Sequence, residues 1–160
     1  MKKFTIIFIT AIIAGMSCVF ASEYTKFSRR FINHFKDCDA YEETITSNFE
    51  DTTFTTHRKI SGWKNGLCRY TEVITSKEGS YKLNCRFAEI QLDDLYLAMK
   101  DRSNKPEKYN LDIFQQKVDP KTGETIYVTN GSTVIKGNKA YIVWAKYQNN
   151  PYFCRYEKLK

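Results

Sequence analysis

Four cysteines, Cys38, Cys68, Cys85 and Cys154, bound what this chain can fold into, because an even set behind an export signal is expected to close two disulfides. Their spacings of 30, 17 and 69 residues contain no Cys-x-x-Cys step, which argues against zinc ligation and thioredoxin-like exchange. The signal is read from Lys2 and Lys3, an apolar run over residues 4–15, and Val19 and Ala21 ahead of Ser22. That run is shorter than the ~20 apolar residues of a membrane span, and no later stretch is long enough. The expectation is a signal over residues 1–21 and one secreted or periplasmic domain over 22–160, with no transmembrane span. A competing reading makes Cys18 a lipid-bearing N-terminus, since Gly15-Met16-Ser17-Cys18 approximates a lipobox that normally opens on Leu.

Periodicity divides the domain into helices and strands. Tyr24, Phe27, Phe31 and Phe35 recur at helical spacing over residues 23–36, with Lys26, Arg29, Arg30 and Lys36 mostly off that stripe. The aromatic stripe is expected to lie on a core; the alternative is a basic amphipathic helix on a membrane surface. Over residues 38–87 the period becomes two, as in antiparallel strands. A second helix is expected over 89–102, from Leu92, Leu95, Tyr96 and Met99 on one stripe, with acidic residues early and basic residues late. After a loop around Pro106 the chain reads as a meander, with turns at 119–123, Asn130-Gly131 and Gly137-Asn138. Residues 141–147, apolar on both faces, read as a central strand, and 152–157 as the last strand.

Turns at Asn65-Gly66 and Glu78-Gly79 set a register for the first sheet. Trp63 then faces Cys68, Lys59 faces Glu72, and Glu72 faces Cys85. Trp63, Cys68, Tyr70, Ile74, Tyr81, Leu83, Cys85 and Phe87 share one face, and Arg58, Arg69, Lys82, Asn84 and Arg86 share the other. In that register Cys68 and Cys85 lie four residues out of line, ~13 Å along the strand, too far for a disulfide. Each should take one of Cys38 and Cys154, with both pairings open. Cys68-Arg69-Tyr70 and Cys154-Arg155-Tyr156 form a weak internal echo.

The fold class is therefore α+β: an antiparallel sheet meander of eight or nine strands, an N-terminal and a central helix packed on one face, and disulfide cross-links. The export signal, Cys38 followed by Tyr41-Glu42, the run Ile60-Ser61-Gly62-Trp63-Lys64-Asn65-Gly66-Leu67-Cys68, and Cys85 ahead of a helix resemble small exported bacterial proteins. The resemblance implies an envelope setting and lends no chemistry.

Formal charge is +7, and +5 without Lys2 and Lys3, which favours an anionic protein, glycan or lipid-surface partner. No dense Lys/Arg run marks a nucleic-acid footprint. The chain holds two histidines, His34 and His57, and no nucleotide, metalloprotease or serine-hydrolase motif; no cofactor or metal is expected. The function read from these features is a non-enzymatic exported binding or structural module, with Arg58, Arg69, Lys82 and Arg86 as a basic sheet face that binds the partner. The alternative is a secreted hydrolase using His57 with a nearby carboxylate such as Glu72.

Overall fold

A computed structural model describes residues 26–49, 51–103 and 105–159. Residues 1–21, expected to act as an export signal, together with Cys18 and Tyr24, lie outside the described residues. Among the described residues, seven strands and three helices follow in the order α1 (Arg29–Asp37), β1 (Tyr41–Phe49), β2 (Thr52–Lys64), β3 (Leu67–Ser76), β4 (Gly79–Phe87), α2 (Glu89–Lys100), β5 (Glu107–Val118), β6 (Thr125–Gly137), α3 (Lys139–Gln148) and β7 (Cys154–Leu159). The architecture is α+β, with an antiparallel five-stranded sheet ordered β1-β2-β3-β4-β7 and a separate two-stranded ribbon, β5-β6. No helix among the described residues is long and apolar enough to cross a membrane.

Each helix starts on a polar group that satisfies a free backbone N–H. Ser28 accepts from the Phe31 amide at 3.0 Å at the start of α1, and Gln91 Oε1 accepts from the Ala88 amide at 2.8 Å at the start of α2. Helix α1 ends at Cys38, whose φ of 56° turns the chain out of the helix and into β1. Its aromatic stripe lies on the sheet: Phe31 and Phe35 are wholly buried with Tyr70, Phe87, Leu92 and Leu95. Trp144 sits at the centre, its ring 5.1 to 5.4 Å from Phe27, Phe35 and Tyr70. The membrane-surface alternative for α1 is thereby excluded, because the face it would insert is the one that forms the core.

Several sequence expectations are corrected, beginning with the eight or nine strands, of which the described residues form seven. Residues 141–147 belong to helix α3, not to a strand. Asn138, expected in a turn, is its N-cap and accepts from the Tyr141 amide at 3.0 Å. The helix is packed between the main core and the ribbon, so Tyr141, Ile142, Trp144, Ala145 and Tyr147 are all buried, and a segment apolar all round loses the period that separates helix from strand. Asn130-Gly131 is not a turn either; it interrupts the ladder inside the continuous strand β6, with Gly131 at φ 107°. Finally, the β3-β4 turn is Lys77-Glu78, since Ser76 pairs with Gly79. This moves β4 by two residues, which preserves which side chains share a face.

The β2-β3 ladder begins as expected, with Trp63 opposite Cys68, but Ser61 is an extra residue between the pairs Ile60–Tyr70 and Gly62–Arg69. Gly62 at φ 92° accommodates this bulge. Below it every β2 side chain changes face. Two disulfides, Cys38–Cys68 and Cys85–Cys154, close over Cα separations of 5.8 and 4.1 Å. The first ties the end of α1 to β3. The second links directly opposed residues of β4 and β7. Paired cysteines of this kind belong to a protein of an oxidising compartment.

Candidate functional site: a basic face on the helix-free side of the sheet

The helices occupy one face of the five-stranded sheet, and the bulge at Ser61 sends Arg58 to that inner face. Arg58 stands opposite both Glu43 on β1 and Glu72 on β3. Its Nη1 lies 3.5 Å from Glu43 Oε1 and its Nε 3.6 Å from Glu72 Oε1, with each of these side chains at most 12% exposed. The Tyr70 hydroxyl donates to Glu72 Oε2 at 2.9 Å, Gln148 Nε2 donates to the same oxygen at 3.1 Å, and the Ser28 hydroxyl donates to Glu43 Oε2 at 2.7 Å. The Phe27 ring covers the guanidinium at 4.6 Å. Burial opposes the charge on Arg58, but Glu72, Tyr70 and Glu43 outweigh it and hold the group above its ordinary pKa. Burial, reinforced by Glu72, raises the Tyr70 hydroxyl well above the ordinary range. This network ties β1, β2, β3, α1 and α3 together, and Arg58 is accordingly removed from the basic face expected from the sequence.

His57 moves the other way. It pairs with Val73 on the outer face, where Thr44 Oγ1 lies 3.1 Å from its Nδ1 and Glu42 lies 3.8 Å from its Nε2. His57 and Glu72 are thus on opposite faces of the sheet, so the carboxylate beside His57 is Glu42 and not Glu72. The other histidine, His34, stacks on Tyr41 at 4.6 Å.

On the outer face, Arg69 and Arg86 are directly opposite one another across β3 and β4. Arg155 of β7 joins them, one position along, opposite Asn84. Lys82 lies on the same face farther down β4, opposite Glu157. Arg69, Thr71, Asn84, Arg86, Arg155 and Glu157 line an open depression of about 430 Å³. Thr71 Oγ1 donates to Asn84 Oδ1 at 3.5 Å, which leaves the Asn84 amide donors for the depression. Arg69 Nε is buried and has no hydrogen-bond partner among the described residues. None of the three arginines has a carboxylate within 4.0 Å among the described residues. Three guanidinium groups, with five N–H donors each, therefore line one depression whose carboxylate, Glu157, lies beyond 4.0 Å from each of them.

Of the four residues expected to form the basic face, the structure brings Arg69 and Arg86 into contact range, leaves Lys82 at the margin, and removes Arg58. Arg155 was not among them, although the sequence carries a signal for it. Cys68-Arg69, Cys85-Arg86 and Cys154-Arg155 are three Cys-Arg steps on three adjacent strands. Each cysteine is buried in a disulfide, and alternation along a strand turns the next side chain to the other face. No family model, curated protein or solved structure matches this chain. The site is therefore interpreted from its own chemistry.

Proposed function

We propose that this protein is a non-enzymatic binding module, exported through the segment 1–21, that holds an anionic partner on the outer face of its sheet through Arg69, Arg86 and Arg155. The observation that carries the reading is the direct cross-strand opposition of Arg69 and Arg86, with no carboxylate within 4.0 Å of either among the described residues. Like charges opposite one another destabilise a sheet, so their placement is useful chiefly when an anion lies between them. The disulfides keep this arrangement in register outside the reducing cytoplasm. The hydrolase alternative would have to pair His57 with Glu42, 3.8 Å away, rather than with Glu72; neither residue lines the depression, and the binding reading is therefore preferred.

The test compares two charge-matched variants on phosphate-bearing and sulfate-bearing matrices. Replacing Arg69, Arg86 and Arg155 by Gln removes three positive charges from the depression, and replacing Lys26, Arg29 and Arg30 by Gln removes three from exposed positions in and just ahead of the first turn of α1. The reading expects loss of retention in the first variant alone. Equal loss in both would mean that net charge, and not this face, governs binding.

A further inference from the structure

Not every cation on the outer face is available to a ligand. Lys59 and His57 share Glu42, at 3.5 and 3.8 Å, and Lys82, across the ladder from Glu157, does not line the depression. The cations that line the depression are compact: Arg69 and Arg86 side by side, and Arg155 diagonal to Arg86 across the neighbouring strand. An extended polyanion would engage cations along the strands, whereas these three arginines meet at one depression.

From this charge distribution we infer that the ligand is a small molecule bearing a phosphoryl group, held between Arg69, Arg86 and Arg155; the inference rests on the reading of this face as an anion site. A monocarboxylate has one charge and two oxygens, enough for a single bidentate arginine. A phosphate monoester offers close to two charges and three acceptor oxygens, which matches three guanidinium forks and the Asn84 amide. The depression, at about 430 Å³, falls in the ~300–1,000 Å³ range of small-molecule sites, so it has room for the group that carries the phosphate. A phosphorylated membrane surface fits less well. Surface binding gains from apolar insertion beside the basic groups, and exposed aliphatic side chains such as Ile90, Leu97 and Val134 lie on α2 and β6 and do not line the depression.

The experiment is a calorimetric titration of the disulfide-bonded protein, at fixed ionic strength, with phenyl phosphate, inorganic phosphate, benzoate, dextran sulfate and vesicles containing phosphatidic acid. Phenyl phosphate is expected to bind one-to-one and at least about tenfold more tightly than benzoate, with Arg69→Lys and Arg155→Gln each weakening it about tenfold. Arg69→Lys keeps the charge and loses the fork, so its loss reports geometry rather than net charge. Lys59→Gln and Lys82→Gln should leave phenyl phosphate binding unchanged. Urea unfolding of each variant shows whether any loss comes from misfolding. Benzoate binding as tightly as phenyl phosphate would overturn the inference. Dextran sulfate binding that depends as much on Lys59 and Lys82 as on the arginines would do the same, as would binding to the vesicles alone. If matrix retention depends on the arginines but phosphate is not preferred, only this inference fails. If retention ignores the arginines and no probe binds, the anion-site reading fails with it.

Discussion

Arg58 and Arg69 lie on opposite faces of one sheet and should respond to substitution in opposite ways. Arg58→Met leaves Glu43 and Glu72 buried without their shared cation, and loss of one partner from such a group costs about 3 to 5 kcal/mol. Urea unfolding is expected to show that loss, and to show most of it recovered when Glu43 and Glu72 are changed to Gln in the same chain. Arg69→Gln removes a like-charge opposition and should change stability by less than about 1 kcal/mol, with any change on the stabilising side. A tyrosine effect belongs to the same scale. Burial, with Glu72 beside Tyr70 and Asp94 beside Tyr147, raises both hydroxyls above the ordinary value near ~10. Both groups therefore keep their protons in the folded state at a pH where the unfolded chain releases them. Their contribution is complete below pH ~10 and is lost as pH rises beyond it. Thermal melts from pH 8 to 12 should show stability falling above that point, with a smaller fall in Tyr70→Phe; an equal fall in that variant would remove Tyr70 from the account.

At the scale of elements, the legible features were those that depend on parity. Moving the β3-β4 turn from Glu78-Gly79 to Lys77-Glu78 shifts β4 by two residues, so Cys85, Leu83 and Phe87 stay inward while Arg86 moves from beside Thr71 to beside Arg69. The bulge at Ser61 shifts β2 by one, which exchanges Arg58 with His57. Nothing in a period-two pattern announces one extra residue; Gly62, at φ 92°, is the only local cue. Helix α3 was lost for a different reason, since burial on all sides erases amphipathicity and Ile142, Val143 and Trp144 suit a strand equally well. Two substitutions test these elements. Gly62→Ala places a side chain at a positive φ and should cost about 1 to 2 kcal/mol, although an added Cβ would meet Cys38 O no closer than 3.8 Å. Asn138→Ala removes the α3 cap and should cost about 1 kcal/mol. Both are read from denaturant midpoints; a neutral Gly62→Ala would contradict the bulge.

Across the whole molecule, the cross-links and the arginines form one arrangement. Cys38–Cys68 closes a separation of 30 residues and Cys85–Cys154 one of 69, and loop-closure entropy assigns each about 4 kcal/mol. Against a usual total of about 5 to 15 kcal/mol, reduction should lower the melting temperature sharply and loosen β7, which carries Arg155. Ala at both Cys85 and Cys154 is accordingly expected to weaken phenyl phosphate binding even where the chain remains folded. Unchanged affinity in that variant would separate the disulfide from the site.

The most direct measurement is a crystal structure of the disulfide-bonded protein grown with tungstate, a tetrahedral dianion whose anomalous signal locates it without ambiguity. The account predicts one dominant peak on the outer face of the sheet, bonded to Arg69, Arg86 and Arg155, and its disappearance when the three are replaced by Gln. A dominant peak elsewhere, or an empty depression at saturating tungstate, would contradict it.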